Sequence, residues 1–333
     1  MFKKILAVAL SILLLLGLVG CSFLGLEQDT TRPDSNSTIP SNTPSESTTG
    51  NTTAPSDAIT DPSETQASAA APTTGESTPP QPITQPEPSD DDFVKVVRFI
   101  PDIIIDLRYS TANNFTSQQI YEFSDVWLRY GTVKKLMLVQ EELKQNGYGL
   151  KIWDGFRPPS AQFKLWDICP DPAYVSNPNN GFSSHSRGNT VDITLVYTDG
   201  TELTMPTGFD DFSKLADRDY SDCSKEVADN AMFLEQLMIK HGFKPYSGEW
   251  WHFTDTQSYP VDEAFEPTEA ALYYADCNEY ISLRTKPNTG AEVIIKILAG
   301  EQVTVVAKTG DFALVEYQGL MGYVLLNYLK PNN

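Results

Sequence analysis

Residues 22–92 cannot supply a hydrophobic core. Ser, Thr, Pro and acidic side chains dominate them, no apolar periodicity is present, and twelve acidic residues face the single Arg32. Such a segment buries too little apolar area to offset the entropy of ordering it, and it is expected to be a disordered tether. The 333-residue chain is long enough for two domains, but only after this stretch is subtracted. The tether also carries about half of the formal net charge of −20, so the acidity describes a solvated stalk rather than a site. No basic cluster accompanies it, which argues against a nucleic-acid partner.

Ahead of the tether, Lys3 and Lys4 precede an apolar run from Ile5 to Val19, and LVGC closes the segment at Cys21. A charged start, a short apolar stretch and small residues at its end are signal-peptide features, and the run is shorter than the usual spanning length of about 20 residues. LVGC resembles the bacterial lipoprotein signal, which implies cleavage after residue 20 and a lipidated Cys21. The expectation is a leader at 1–21, membrane attachment through Cys21 and a working domain outside the cytoplasm. Cys169, Cys223 and Cys277 form no CxxC pair, so no thiolate zinc site is indicated.

The patterned part begins near Phe93. TVKKLMLVQEELKQN predicts a helix over 132–146, capped by Thr132 and closed by Gly147, with Val133, Leu136, Met137, Gln140 and Leu143 on its stripe. KEVADNAMFLEQLMIKH predicts a second over 225–241, with His241 interacting with the last carbonyls before Gly242. Short strands are expected around Leu150–Trp153 and Val191–Tyr197. This mixture favours a compact α+β domain over 93–262. A linker is expected at 263–275, and from 276 to 330 short apolar strands separated by PNTG, AG, KTGD and QG turns predict a small all-β unit. ISLRTKPNTG and MGYVLLNYL resemble the opening and ending of a bacterial SH3-like domain. That resemblance implies a small barrel and, in related domains, peptidoglycan binding.

The chemistry-bearing residues are sparse, since the chain has only three histidines. Asp192 interrupts the apolar strand VDITLVY, and a buried carboxylate is costly unless it is paired or coordinates a metal. His185, Asp192 and His252 together would offer two imidazoles and a carboxylate, with a fourth zinc position left for water or substrate. Glu249, three residues before His252 in GEWWHF, would act as general base. Each residue has a plainer alternative. ExxH is weak by itself, His185 could be a surface loop residue, and Asp192 could pair with Arg187. Arg157 in DGFRPP could clamp an oxyanion or form a salt bridge with Asp154. Trp250 and Trp251 could wall a pocket or fill the core.

Taken in order, DLRYSTANNFTSQQIY, WDGFRP, SSHSRGNTVDITL and GEWWHF resemble the D-alanyl-D-alanine dipeptidase family of zinc D,D-peptidases over roughly 93–262. The resemblance implies an antiparallel sheet with flanking helices, one zinc ion on His185, Asp192 and His252, Glu249 as base, and Arg157 as transition-state stabiliser. It also implies substrate contacts from Ser183 and from Asp211, the latter in PTGFDD where the familiar form is closer to GTPFD. The expected substrate is D-alanyl-D-alanine or a related D,D-dipeptide. The alternatives are a D,D-carboxypeptidase trimming peptidoglycan stem peptides and a noncatalytic wall-binding lipoprotein.

Overall fold

The computed structural model describes residues 83–332. The leader, Cys21 and most of the tether lie outside the described residues. The last part of the expected tether lies against the folded chain. The Gln85 side chain donates to the Met321 carbonyl at 3.2 Å and accepts from the Met321 amide at 2.5 Å, while Glu87 accepts from the Tyr130 hydroxyl at 3.1 Å.

Three short strands come first: β1 (Phe93–Lys95), β2 (Ile104–Ile105) and β3 (Trp127–Arg129). They are followed by α1 (Tyr130–Gln145), β4 (Tyr148–Asp154), α2 (Pro159–Ile168), β5 (Thr190–Tyr197), α3 (Lys225–Lys240), β6 (Phe243–Tyr246) and β7 (Glu249–Asp255). Both expected helices are present. Thr132, however, does not cap α1; it is buried within the first turn and donates to Asp255 at 2.8 Å. Met137 is exposed and Val139 faces inward in its place. Gly147 adopts φ 81°, the left-handed conformation that closes a helix without a Cβ penalty. The sequence reading missed α2, which starts with Pro159 in its first turn, where the absent proline N–H costs nothing.

The central sheet runs β2-β4-β5-β7-β6. It is antiparallel except at one edge, where β2 pairs parallel to β4, so the expected antiparallel sheet is in fact mixed. β5 is buried along all but its last residue. The register sets Asp192 opposite Asp154 on one side and opposite His252 on the other. Between β6 and β7, Pro245 faces Phe253 while Tyr246 faces Glu249, so β7 carries three extra residues across one step of its partner. A bulge of this kind bends the strand and redirects its side chains. It sends Trp250 and Trp251, each 1% exposed, into the core, and it leaves Glu249 and His252 on the same side.

The carboxy-terminal unit is a seven-stranded antiparallel sheet in the order β10-β9-β13-β12-β11-β8-β14. Its strands are β8 (Phe265–Ala275), β9 (Tyr280–Arg284), β10 (Val293–Leu298), β11 (Gln302–Thr309), β12 (Phe312–Tyr317), β13 (Leu320–Leu325) and β14 (Leu329–Pro331). The segment expected as a linker at 263–275 is therefore largely β8, paired with β11 and β14. Ile281, Leu283, Ile297, Val315 and Val324 form a core of the sheet's own. Val306, Ala307, Phe312, Leu314 and Tyr323 join the core of the α+β domain instead. Phe265 anchors that joint: its ring stacks on Phe93 at 4.3 Å and lies 5.7 Å from Phe156 and 5.4 Å from Trp127. Among the described residues no helix is long and apolar enough to cross a membrane, and the three cysteines are free.

Because the two units share this aromatic core, residues 83–332 are expected to unfold in a single transition in denaturant. Phe265→Ala should lower the stability of the whole by about 3–5 kcal/mol, measured as a shift in the urea midpoint.

Candidate metal and active site

The sheet register places the site residues before any ligand is considered. Asp192 projects from β5 beside His252 of β7, and His185 reaches the same carboxylate from the turn Ser184–Arg187 that leads into β5. Gly188 ends that turn at φ 74°, and a Cβ there would sit 2.3 Å from the Phe93 ring, so only glycine fits. His185 Nε2 lies 3.3 Å from Asp192 Oδ2, and His252 Nδ1 lies 3.1 Å from Asp192 Oδ1. The imidazole rings are 5.0 Å apart at 76°.

The His185 ring is held from behind. Its Nδ1 is 2.8 Å from the Gly155 carbonyl, so Nδ1–H donates there and the lone pair of Nε2 faces Asp192. Asp192 Oδ1 is buried and has no partner in hydrogen-bonding geometry, despite its short distance to His252. Burial opposes charge on Asp192, but the two imidazoles hold its carboxyl well below the usual carboxylate range. Burial likewise opposes protonation of His185, and Asp192 and Asp154 outweigh it and raise its pKa. One ligand atom from each of His185, Asp192 and His252 lies within 4.8 Å of the others. Two nitrogen donors and an oxygen donor converging on a buried carboxylate with an unsatisfied oxygen fit a single divalent ion such as zinc.

Around this cluster lies a cavity of about 300 Å³, lined among others by Arg157, Ser183, Asp210, Tyr246 and Glu249. Glu249 Oε2 is 3.4 Å from His252 Nδ1. Burial and the neighbouring Asp192 raise the Glu249 pKa, against the pull of the two imidazoles and Arg157. Arg157 donates to Asp154 at 2.6 Å, to Gln162 at 3.1 Å and to the Tyr121 hydroxyl at 3.3 Å, and its guanidinium lies 5.0 Å from the Tyr109 ring centre. The salt bridge with Asp154 is present, and the cation it fixes also lines the cavity. Asp154 is fully buried and also accepts from the Tyr121 hydroxyl and the Gly155 amide. It thereby locks the loop whose carbonyl orients His185.

The structure redistributes several sequence expectations. Asp192 pairs with the histidines rather than with Arg187, whose guanidinium donates to the Tyr259 carbonyl at 2.9 Å. Trp250 and Trp251 do not line the cavity, and Trp250 donates its indole N–H to Thr207. His241 ends α3 and bonds to Glu142 of α1 at 2.8 Å, away from the site. Ser183 lines the cavity and its hydroxyl accepts from the His185 amide at 3.4 Å.

Asp211 is not among the cavity-lining residues, and its carboxylate accepts the Ser213 amide at 2.8 Å, whereas Asp210 lines the cavity and accepts from the Tyr109 hydroxyl at 2.9 Å. Asp210 adopts φ 55°, a left-handed backbone that non-glycine residues rarely take. Sequence reasoning also missed Tyr109, which lies within the quoted DLRYST segment; no local pattern assigns it a role.

Burial pushes the Asp210 carboxyl up to about 8, with Asp192 and Glu249 adding to the effect and Tyr109 and Arg157 opposing it. An unfolded Asp titrates near about 3.9, so between these values the folded protein holds a proton that the unfolded chain releases, and stability falls as pH rises. In metal-free protein the stability advantage of Asp210→Asn over the parent should therefore be absent near pH 4 and grow toward pH 8, read from urea midpoints across that range. In metal analysis, chelated parent protein should rebind zinc stoichiometrically, while Asp192→Ala should not.

Comparison with known proteins agrees with this geometry. A family model described as D-ala-D-ala dipeptidase (peptidase M15) matches residues 89–269, and a bacterial SH3 domain model matches residues 279–330. The chain is 34% identical over 172 residues to the D-alanyl-D-alanine dipeptidase of Escherichia coli (strain K12), covering 51% of this chain and 89% of that protein. It is 33% identical over 168 residues to the D-alanyl-D-alanine dipeptidase of Enterococcus faecium, covering 44% of this chain and 83% of that one. The enzyme of the same name from Streptomyces coelicolor (strain ATCC BAA-471 / A3(2) / M145) is 31% identical over 195 residues, covering 53% and 96% of the two chains.

Proposed function

The chain belongs to the D-alanyl-D-alanine dipeptidase family of M15 peptidases, and on that premise we propose that it hydrolyses D-alanyl-D-alanine or a closely related D,D-dipeptide at the bacterial cell surface. The observation that carries this reading is the convergence of His185, Asp192, His252, Glu249 and Arg157 on one small cavity. His185, Asp192 and His252 would hold the zinc ion, which when bound would supply Lewis-acid polarisation of the scissile carbonyl and acidify the attacking water. Glu249 takes the proton from that water and returns it to the departing amine, and its raised pKa suits a group that must do both. Arg157, fixed by Asp154, places positive charge beside the oxygen that becomes an oxyanion.

Asp210 and Tyr109 favour the dipeptide over a stem peptide. Before a ligand binds, burial holds a proton on the Asp210 carboxyl up to about pH 8; a free ammonium group beside it favours the carboxylate and pairs with it, and an acylated nitrogen offers no such charge. Asp210 thus takes the amine-binding role that the sequence resemblance gave to Asp211, while Ser183 contacts the peptide near His185.

The proposed chain order is a leader at 1–21, an acidic tether, the catalytic domain, and an SH3-like barrel that supplies peptidoglycan contact. Lys3 to Cys21 support lipid anchoring with the catalytic domain outside the cytoplasm.

Released D-alanine from D-alanyl-D-alanine, measured with zinc-loaded protein, tests the reading. Glu249→Gln should lower kcat by about 10²–10⁴-fold with zinc still bound. Arg157→Lys keeps the charge but loses the fork geometry, and kcat should drop by about 10²-fold with a smaller change in KM. Hydrolysis of stem peptides alone would replace the dipeptidase reading with a carboxypeptidase one.

A further inference from the structure

The hairpin β6–β7 carries both Glu249 and His252, and its ladder is broken where they stand. Pro245 pairs with Phe253 and Tyr246 with Glu249, so Trp250, Trp251 and His252 have no opposite residue on β6. A bulged backbone gives up ladder hydrogen bonds, and its carbonyls need other donors. Arg218, from the loop between β5 and α3, supplies them. Its Nε donates to the Tyr246 carbonyl at 2.7 Å, a terminal nitrogen donates to the His252 carbonyl at 3.0 Å, and its backbone amide donates to the Ser247 carbonyl at 3.2 Å. The other terminal nitrogen ties the fork to α3. It donates to Glu235 at 2.9 Å and to the Tyr220 hydroxyl at 3.3 Å, and that hydroxyl donates to the same Glu235 carboxylate at 3.0 Å. The guanidinium also lies 4.5 Å from the ring centre of the buried Phe253. Arg218 does not line the cavity.

Resting on the proposed zinc site, we infer that Arg218 is a positioning residue that clamps the bulged hairpin from outside the cavity and fixes Glu249 and His252 relative to each other. The two carboxylate and imidazole atoms lie 3.4 Å apart, yet the backbone between their residues has no ladder partner on β6. Its shape therefore depends on what holds its ends. The planar guanidinium reaches the Tyr246 carbonyl at one end of the bulge and the His252 carbonyl at the other from a single rigid plane. A lysine ammonium would keep the charge but could not span both carbonyls. With the clamp released, the bulge relaxes, the His252 imidazole loses its aim at the ligand cluster and the Glu249 carboxylate drifts from its place beside it. Zinc affinity and proton transfer then weaken together. Ser183 and Tyr109 come from other elements and keep their places, so the loss falls on kcat and not on KM.

The test compares Arg218→Lys with the parent protein in two measurements: the zinc Kd, by competition with a chelator of known affinity, and D-alanine release from D-alanyl-D-alanine. Arg218→Lys should raise the zinc Kd by about 10–100-fold and, with zinc saturating, lower kcat by about tenfold or more while KM stays within about twofold. Arg218→Gln serves as a second variant and keeps the test decisive if the lysine variant does not fold. Val139→Ala is the stability control, since it trims a fully buried side chain of α1, and it should lower the urea midpoint with the zinc Kd unchanged. A zinc Kd within about twofold of the parent in both Arg218 variants overturns the clamp. An equal rise in Val139→Ala also overturns it, because the effect would then be one of overall stability. A parent that binds no zinc overturns the metal site and the clamp with it. Zinc binding without D-alanine release overturns only the dipeptidase reaction, and the Kd ratios still decide the clamp.

Discussion

A buried carboxylate in an otherwise apolar central strand is the constraint around which the catalytic domain is arranged. Asp192 lies in β5, which is covered on both faces, and it would destabilise the fold if left alone there. Two imidazoles face it, one from the adjacent strand and one from the turn that leads into its own strand. Each of these depends on further structure. His252 reaches Asp192 through a strand bent by three extra residues, and His185 is aimed by the Gly155 carbonyl. The Gly155 loop is in turn held by Asp154 and Arg157, so the proposed oxyanion cation and the ligand geometry share one hydrogen-bonded unit.

The same loop is supported from outside the catalytic domain. Phe156, between Gly155 and Arg157, lies 4.3 Å from Phe93 and 5.7 Å from Phe265 of the carboxy-terminal sheet. A domain that would be expected to hang on a linker instead buries part of one face against the enzyme. Gln85 and Glu87 add contacts across the two units from the end of the tether. Wall contact through this domain would therefore act on a body continuous with the active site, and not on a freely swinging appendage.

Much of this was legible in the chain. Helix α3 and the capping of α1 by Gly147 follow from local spacing and from the conformational freedom of glycine. His185, Asp192, Glu249 and His252 were legible because ionisable residues are rare in apolar strand patterns and the chain has only three histidines. Local pattern failed at α2, which opens on a proline and was not expected, and at 265–275, where a strand without a neighbouring turn signal read as linker. It also did not separate Asp210 from Asp211, two adjacent identical residues of which Asp210 lines the cavity and Asp211 holds the Ser213 amide.

By itself the sequence determined which side chains could do the chemistry and that an α+β unit precedes a β-rich one. These properties depend on residue type and short-range periodicity. The tertiary structure decided which acid faces the cavity, that the two tryptophans of GEWWHF pack into the core while its Glu and His face the cavity, and that Phe265 joins the two units in one core. Those outcomes depend on strand register, a bulge and the packing of residues more than a hundred positions apart, none of which leaves a local mark in the chain.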